Sequence, residues 1–313
     1  MSPDFTHRLT NIAHTTLILA GMGLIAWAVV GVVAGPDMTL FIVAATLAGL
    51  MLAPSVSRRL LLRGYKARPL GPRDWPAGHV LLCSLADRAG LPRTPELWYV
   101  PSRIPNAFTM GRPEDSVICV TDGLIRLLTR RELAGVLAHE VAHVLHRDLW
   151  LMGLADAMSR AVSLASLVGQ MLLLINLPLL LAGVATIPWA LPLILAFSPT
   201  IMALLQLALS RQREYDADRA GAELTSDPAG LAAALLKLER VTGRFWEEMV
   251  LPGRRIPDPS LLRTHPPTKN RVARLRALNP WPNEGEPDPA TMRLPSGAAQ
   301  PMKPRFHLSG LWF

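Results

Sequence analysis

Two long apolar stretches near the start of the chain predict membrane-spanning helices. Residues 12–35 contain no Asp, Glu, Lys or Arg, and neither do residues 38–57. Because a transmembrane helix needs about 20 apolar residues, each stretch is long enough to cross a bilayer. Only Pro36 and Asp37 separate them, so we predict a tight helical hairpin over residues 1–57.

A third apolar stretch, residues 161–210, also lacks charged side chains and is long enough for two helices. The prolines on either side of Trp189 mark a turn, so we place the two spans near 161–184 and 190–209. A hairpin buried inside a large soluble core is the alternative, and the length of the uncharged run argues against it. The pattern thus predicts about four transmembrane helices in two hairpins.

Basic residues follow the first hairpin and indicate its orientation. Between residue 57 and the next acidic residue, Asp74, the chain carries Arg58, Arg59, Arg63, Lys66, Arg68 and Arg73. Positive charge next to a span stays on the cytoplasmic side of the membrane. We therefore predict a multi-pass protein of a bacterial-type cytoplasmic (inner) membrane, with its catalytic domain in the cytosol.

The same placement accounts for the formal net charge of +8. Since the basic residues cluster beside apolar segments, the charge indicates membrane orientation, and we expect no nucleic-acid partner. Cys83 and Cys119 are too few for a disulfide framework and lack the spacing of a metal site. The cysteine count therefore favours a reducing compartment.

Between the two hairpins the sequence is typical of a soluble domain. Leu97–Val100 and Ser116–Thr121 are rich in β-branched or aromatic residues and predict strands. Thr129 and Glu132 have the spacing of a capping box, in which each side chain bonds the other residue's backbone N–H. We predict that a helix begins at this box and continues to about His146.

Two histidines in that helix have the spacing of a metal site. His139 and His143 are four residues apart, so they share one helical face and lie about 6 Å apart along the axis. Both imidazoles can therefore bind one ion. Glu140 follows the first histidine and is placed to hold a water molecule rather than the ion.

A hydrolytic zinc site needs a third protein ligand and an open position. His146 shares the face but lies about 10.5 Å along the helix from His139, too far for one ion. Glu214 is the better candidate, because Glu214 and Asp218 share a face of a predicted helix. Glu214 can then bind the metal while Asp218 accepts the N–H of a bound imidazole. A charge beside the membrane is the alternative for Glu214.

Membrane topology favours Glu214 as a metal ligand over Glu214 as a charge beside the membrane. Two spans separate His143 from Glu214, and an even number of crossings returns the chain to the side it left. All three predicted ligands would then lie on the cytosolic side.

The order of these motifs resembles that of HtpX-type membrane zinc metallopeptidases, in the group that includes the CAAX prenyl proteases. The likeness covers roughly residues 100–275. The matching segments are Asn106–Phe108, Val120–Leu124, Glu132–Leu133, His139–His143, Arg147–Asp148, Arg213–Asp218 and Thr264–Pro266 with Arg271.

The resemblance implies a ligand set that agrees with the spacing: one zinc ion on His139, His143 and Glu214, with Glu140 as the base. It implies that a substrate-binding edge strand is bordered by Asn106, Ala107 and Phe108. It also implies that His265 and Arg271 lie near the cleft, where a cation could stabilise a tetrahedral oxyanion.

The predicted function is that of a membrane-embedded zinc endopeptidase that cleaves misfolded or damaged membrane proteins at the cytosolic face. Glu140 would take a proton from a zinc-activated water and return it to the leaving amine. Extended peptides commonly add to a sheet edge, and Ser116–Thr121 is the strand that we predict there. A non-catalytic membrane scaffold with a structural zinc is the alternative. A transporter is disfavoured because His14 is the only ionisable residue in the spans.

The predicted architecture is mainly α with a small β-sheet (α+β), a zincin-like metallopeptidase domain fused to the two hairpins. The catalytic domain would comprise residues 58–160 and 211–278, interrupted by the second hairpin. Residues 279–313 are rich in Pro, Gly, Ala and Glu and predict a flexible tail.

Overall fold

The computed structural model describes residues 3–184, 190–249 and 266–278. Over these residues the protein is mainly helical with a small sheet, which confirms the predicted α+β class. The helices are α1 Pro3–Ala34, α2 Pro36–Gly64, α3 Pro76–Ala89, α4 Asp122–Leu127, α5 Arg130–Leu145, α6 Asp148–Ile175, α7 Leu177–Leu181, α8 Ala190–Thr225, α9 Pro228–Met249 and α10 Thr268–Leu278. The strands are β1 Arg68–Pro69, β2 Glu96–Val100, β3 Ala107–Arg112 and β4 Asp115–Thr121.

The chain forms two compact units, each built from separate segments. The first comprises residues up to Ala53 together with Trp150–Gln212. The second comprises Pro54–Leu149 together with the residues from Arg213 onward. The second unit contains the sheet and every predicted site residue that the structure describes. The predicted domain boundaries themselves stay a prediction.

Three helical segments in the described part of the chain are long and apolar enough to cross a membrane. They are Thr10–Ala34, Asp148–Ile175 and Leu191–Thr225. The fourth predicted span falls in α2, of which Asp37–Thr46 is a shorter apolar helix. The side chains of residues 49–57 lie outside the described part of the structure.

The helices of the third apolar stretch, residues 161–210, extend beyond the predicted spans. Helix α6 already begins at Asp148 and ends before Asn176, whereas residues 185–189, around the predicted turn, lie outside the described residues. Helix α8 continues past residue 209 to Thr225, because buried apolar side chains such as Ala217 and Ala222 keep it packed. Glu214 and Asp218 therefore lie on α8 itself.

The first unit has an apolar interior and an apolar surface. Its buried cluster includes Met22, Val29 and Met202. Large apolar side chains such as Leu24 and Phe197 are exposed, at 70% and 60% of their area. A water-soluble protein rarely exposes so many, so this surface suits lipid.

A proline inside α8 is compensated by side chains of α6. Pro199 has no N–H to donate to the Leu195 carbonyl one turn earlier. The Ser166 hydroxyl donates a hydrogen bond to that carbonyl, and Gln170 Nε2 donates another at 3.2 Å. The freed carbonyl is therefore satisfied inside the first unit, as a bilayer requires.

The sheet order corrects one prediction. Within the described residues the order is β1-β2-β4-β3, with β2 parallel and β3 antiparallel to β4. Ser116–Thr121 therefore lies in an interior strand, and its prediction as the edge was wrong. The edge next to it is β3, whose few β-branched residues gave no strand signal in the sequence.

The two faces of the sheet pack against different helices. Because successive side chains of a strand alternate, Ile118 and Val120 of β4 face a core shared with α3 and α5. Val117 and Cys119 face the opposite cluster, which Leu62 of α2 covers. The sheet is thus buried on both sides, and α5 lies on its inner face.

Helix α5 begins as the sequence predicts. Glu132 N donates to Thr129 Oγ1 at 3.4 Å, and Thr129 N donates to Glu132 Oε2 at 2.8 Å. Lys237 Nζ of α9 also contacts Glu132 Oε2 at 2.8 Å. Burial alone would raise the pKa of Glu132, but its bonds to Lys237 and Thr129 lower it. Helix α5 is therefore fixed at its N-terminus and is buried around most of its length.

Candidate active site

One face of α5 and the end of α8 bring three potential metal ligands together. One ligand atom from each of His139, His143 and Glu214 lies within 4.8 Å of the others. The two Nε2 atoms are 3.1 Å apart. Oε2 of Glu214 lies 3.5 Å from His139 Nε2, and its Oε1 lies 3.7 Å from His143 Nε2.

These spacings fit a zinc ion. Ligand atoms about 2.0–2.1 Å from a tetrahedral centre are about 3.3 Å apart, close to the three observed separations. Two imidazoles and a carboxylate are also a donor set typical of zinc enzymes. His139, His143 and Glu214 are thus the residues that would hold the metal.

A carboxylate and an arginine support His139. His139 Nδ1 lies 3.1 Å from Oδ1 of Asp218, the residue that the sequence predicts to orient a bound imidazole. Asp218 in turn accepts hydrogen bonds from Arg271 Nε and Nη2 at 2.7 and 2.6 Å. We call His139, Asp218 and Arg271 the first triad.

Two buried carboxylates, Asp218 and Glu214, lie at the first triad. Burial alone would lower the pKa of His139, but Asp218 and Glu214 raise it to about 10. Burial would likewise lower the pKa of Arg271, whereas Asp218 and Glu214 raise it. The two carboxylates therefore favour positive charge at this position.

A second set of the same residue types supports His143. Asp148 Oδ2 lies 2.7 Å from His143 Nδ1, and Arg213 Nε donates to Asp148 Oδ1 at 2.5 Å. We call His143, Asp148 and Arg213 the second triad. Neither Asp148 nor Arg213 is among the site residues that the sequence predicts. A carboxylate five residues after a predicted ligand is the signal that could have indicated Asp148.

The turn after α5 places Asp148. Arg147 adopts a left-handed conformation with φ of 56°, which ends the helix. The chain therefore reverses locally, and Asp148 at the start of α6 reaches back to His143.

The proposed base, Glu140, is buried beside the ligands and contacts strand β3. Thr109 Oγ1 donates a hydrogen bond to Glu140 Oε2 at 2.6 Å, and both side chains are buried. Thr109 had no role in the sequence analysis, because nothing marked β3 as the strand that faces α5.

The segment Asn106–Phe108 lies at the start of the edge strand. Ala107 packs in the inner core, whereas Phe108 packs on the opposite face of the sheet with its ring 5.2 Å from Tyr65. Asn106 is tied to Thr121 through backbone and hydroxyl hydrogen bonds. The side chains of Ala107 and Phe108 therefore serve packing, and the backbone is the part of the segment available to a peptide.

The sequence predicts two cationic residues near the cleft, His265 and Arg271, and the structure describes only Arg271. His265 lies outside the described residues. Arg271 is buried, and its nitrogens contact Asp218 and, at 3.4 Å, Glu214 Oε2. These contacts favour a role in holding the carboxylates over the predicted role at an oxyanion.

A glycine sets the close approach of α8 to α5. A Cβ at Gly221 would lie 3.0 Å from His139 N and 3.2 Å from its Cα. Contacts this short leave no room for a larger residue unless the helices separate. Gly221 therefore lets α8 bring Glu214 and Asp218 up to the histidines.

Cys119 is buried on the face of the sheet opposite α5. Burial, together with the negative charge of Glu140, raises the pKa of the Cys119 thiol to about 12. The thiol therefore stays protonated at neutral pH and is neither a nucleophile nor a metal ligand.

The sequence resembles those of known proteases. Residues 79–279 match the profile of peptidase family M48. The Protease HtpX homolog of Kineococcus radiotolerans is 37% identical over 71% of this chain and 80% of its own length. The Protease HtpX homolog of Pyrococcus furiosus is 35% identical over 71% of this chain and 80% of its own length. The Protease HtpX homolog of Methylibium petroleiphilum is 30% identical over 86% of this chain and 98% of its own length.

Among solved structures, the crystal structure of S. mikatae Ste24p shares the fold. The TM-score is 0.50 at 16% sequence identity, over 87% of this chain and 66% of that one. At this identity the likeness shows the fold alone.

Proposed function

The chain belongs to peptidase family M48, as an HtpX-type membrane metalloprotease, and from this premise we propose that it is a zinc-dependent endopeptidase. Its substrates are misfolded or damaged membrane proteins, which it cleaves at the cytosolic face of a bacterial-type inner membrane. The observation that carries this proposal is the meeting of His139, His143 and Glu214 next to the buried Glu140.

The mechanism assigns each residue near the ligands a separate task. When bound, zinc supplies Lewis acidity, which activates water and polarises the peptide carbonyl. Glu140 accepts a proton from the attacking water and delivers it to the leaving nitrogen. Asp218 and Asp148 hold the imidazoles of His139 and His143 in the orientation that binding requires.

Strand β3 provides the site for the substrate backbone. It is the edge of the described sheet beside α5, and an extended peptide can add to such an edge through main-chain hydrogen bonds. Main-chain recognition is tolerant of side-chain sequence. Such tolerance suits an enzyme that removes damaged proteins of many kinds.

Charge and topology support the cytosolic orientation. The basic residues between 58 and 73 directly follow α2's apolar segment, where positive charge stays in the cytosol. His143 and Glu214 meet although α6 and the apolar part of α8 separate them in sequence. If both helices cross the bilayer, the chain returns to the side it left, as the proposal requires.

The experiment is a zinc and peptidase measurement on protein purified in detergent. Wild type is expected to bind one zinc per chain and to cleave an unfolded protein such as casein. Glu140→Gln is expected to keep the zinc and to lose activity by about 10²–10⁴-fold, the usual contribution of a positioned base. Glu114→Gln, an exposed glutamate paired with Arg147, is the matched control and is expected to be fully active.

The alternative function is a membrane scaffold with a structural zinc. Structural sites are normally closed by four protein ligands, whereas three cluster here among the described residues. Zinc-loaded wild type that cleaves no unfolded protein would favour the scaffold. A fully active Glu140→Gln protein would refute the assigned base.

A further inference from the structure

Thr109 is the residue of the edge strand that touches the proposed base. Its hydroxyl donates to Glu140 Oε2 at 2.6 Å and lies 3.4 Å from the Glu140 carbonyl oxygen. Thr109 and Glu140 are both buried, with 7% and 6% of their residue areas exposed. A buried hydrogen bond to a carboxylate is stronger than one between neutral groups, so it fixes the orientation of the Glu140 side chain.

The backbone N–H and C=O of Thr109 face the side of β3 that no strand of the described sheet occupies. Thr121 N donates to Asn106 O at 3.0 Å, so Asn106 and Thr121 are a hydrogen-bonded pair of the antiparallel ladder. Hydrogen-bonded and non-hydrogen-bonded pairs alternate along such a ladder. Thr109, three residues on and opposite Ile118, is therefore in a non-hydrogen-bonded pair. Its N–H and C=O point away from β4, towards the edge where a peptide would add.

From these two observations we propose that Thr109 is a positioning residue for the peptidase reaction. Its peptide group aligns the substrate strand, and its hydroxyl holds the Glu140 carboxylate. One residue thus positions both the base, Glu140, and the substrate strand. This role rests on the proposed function.

The hydrogen bond from Thr109 engages only one oxygen of the Glu140 carboxylate. Because Oε2 of Glu140 accepts the Thr109 hydrogen bond, Oε1 remains for the attacking water. Without the hydroxyl the carboxylate can rotate about its terminal torsion, which is soft in glutamate. The substrate would still bind, since the backbone of β3 is unchanged, but proton transfer would be misaligned.

The test compares three variants of the full-length, zinc-loaded protein on a fluorogenic peptide. Thr109→Val keeps the β-branched shape and removes the hydroxyl. It is expected to lower kcat about ten- to a hundredfold through misalignment, with KM and zinc content unchanged. Thr109→Ser keeps the hydroxyl and is expected to retain most of kcat. Ser116→Ala removes a buried hydroxyl from the adjacent strand β4 and is expected to have wild-type kinetics.

A second measurement does not depend on zinc or on catalysis. The midpoint of thermal unfolding is measured after chelation for wild type, Thr109→Val, Glu140→Ala and the double variant. A direct hydrogen bond makes the two changes non-additive. Thr109→Val is therefore expected to lower the midpoint less when Glu140 has been removed.

Each outcome either supports the role of Thr109 or overturns it. A loss of kcat in Thr109→Val that Thr109→Ser restores, with coupling in the metal-free protein, supports it. Wild-type kcat in Thr109→Val overturns it, as does an equal loss in Ser116→Ala, which would indicate a general packing defect. Inactive wild type overturns the proposed function and this role together, whereas active wild type with additive unfolding midpoints overturns the role of Thr109 alone.

Discussion

The two histidines of the proposed metal site are supported by the same residue types, assembled by different routes. The first triad joins three helices, because His139 lies on α5, Asp218 on α8 and Arg271 on α10. The second triad is partly local, since Asp148 follows His143 by five residues and only Arg213 comes from far along the chain. The first is also the more buried, with side chains 4–7% exposed against 4–12%.

Because the triads are assembled differently, their supporting residues have different main functions: one set stabilises the fold and the other orients a metal ligand. In the first triad, the contacts with Arg271 also attach α10 to the core, so that the site and the fold depend on the same ion pairs. In the second triad, the His143–Asp148 contact can form from a single turn, and it mainly orients the imidazole. We therefore expect the first triad to affect stability most, and the second to affect metal affinity.

The largest expected effect is that of Arg271→Met in the first triad. Removing the guanidinium leaves Asp218 and Glu214 buried without their cation, which typically costs about 3–5 kcal/mol of folding free energy. Arg213→Met is expected to cost less, because the Arg213 side chain is more exposed, at 11% against 6% for Arg271. The measurement is chemical unfolding of both variants in detergent after chelation. Equal losses would contradict the proposed difference between the triads.

The next effect in size concerns metal affinity in the second triad. Asp148→Asn is expected to weaken zinc binding by about 10–100-fold, because the carboxylate that orients His143 is lost. Asp218→Asn is expected to weaken it less through His139, since the Asp218 contact is longer, 3.1 Å against 2.7 Å. Competition with a chelator measures both affinities. Asp156→Asn, which alters an exposed ion pair on α6, is the control, and a comparable loss there would refute the assignment.

The smallest expected effect comes from the N-terminal cap of α5, the helix that carries the histidines of both triads. Thr129→Ala removes the capping box of α5, on which both histidines lie, and is expected to cost about 1 kcal/mol of stability. Zinc affinity is expected to stay unchanged, because the cap lies more than two turns from His139. Thr129→Ser retains the hydroxyl and should be close to wild type. If zinc affinity fell with the cap, the helix could not be treated as a rigid support.

The features that the sequence predicts correctly depend on local spacing. The capping box places the start of α5, and a separation of four residues puts His139 and His143 on one helical face. The same spacing relates Glu214 to Asp218 on α8. An even number of predicted crossings then suggests that Glu214 returns to the histidines, and the structure brings these side chains together.

The features that it does not predict depend on long-range pairing or on unusual backbone geometry. Arg213 reaches Asp148 across 65 positions, a pairing that no local pattern indicates. Asp148 faces His143 only because Arg147 adopts a positive φ, which is uncommon outside Gly, Asn and Asp. Strand β3 lacks β-branched enrichment except at Thr109, so the wrong strand was taken as the edge.

The dimensions of β3 also bear on self-association. An exposed edge can pair with any extended chain, including an unfolded copy of the same protein. Here the strand is six residues long, and prolines stand at positions 105 and 113 on either side of it. Proline cannot donate to a growing ladder, so the docking edge is bounded at both ends. Such an edge can hold a short stretch of polypeptide for one round of cleavage while offering little support for the extended pairing that begins aggregation.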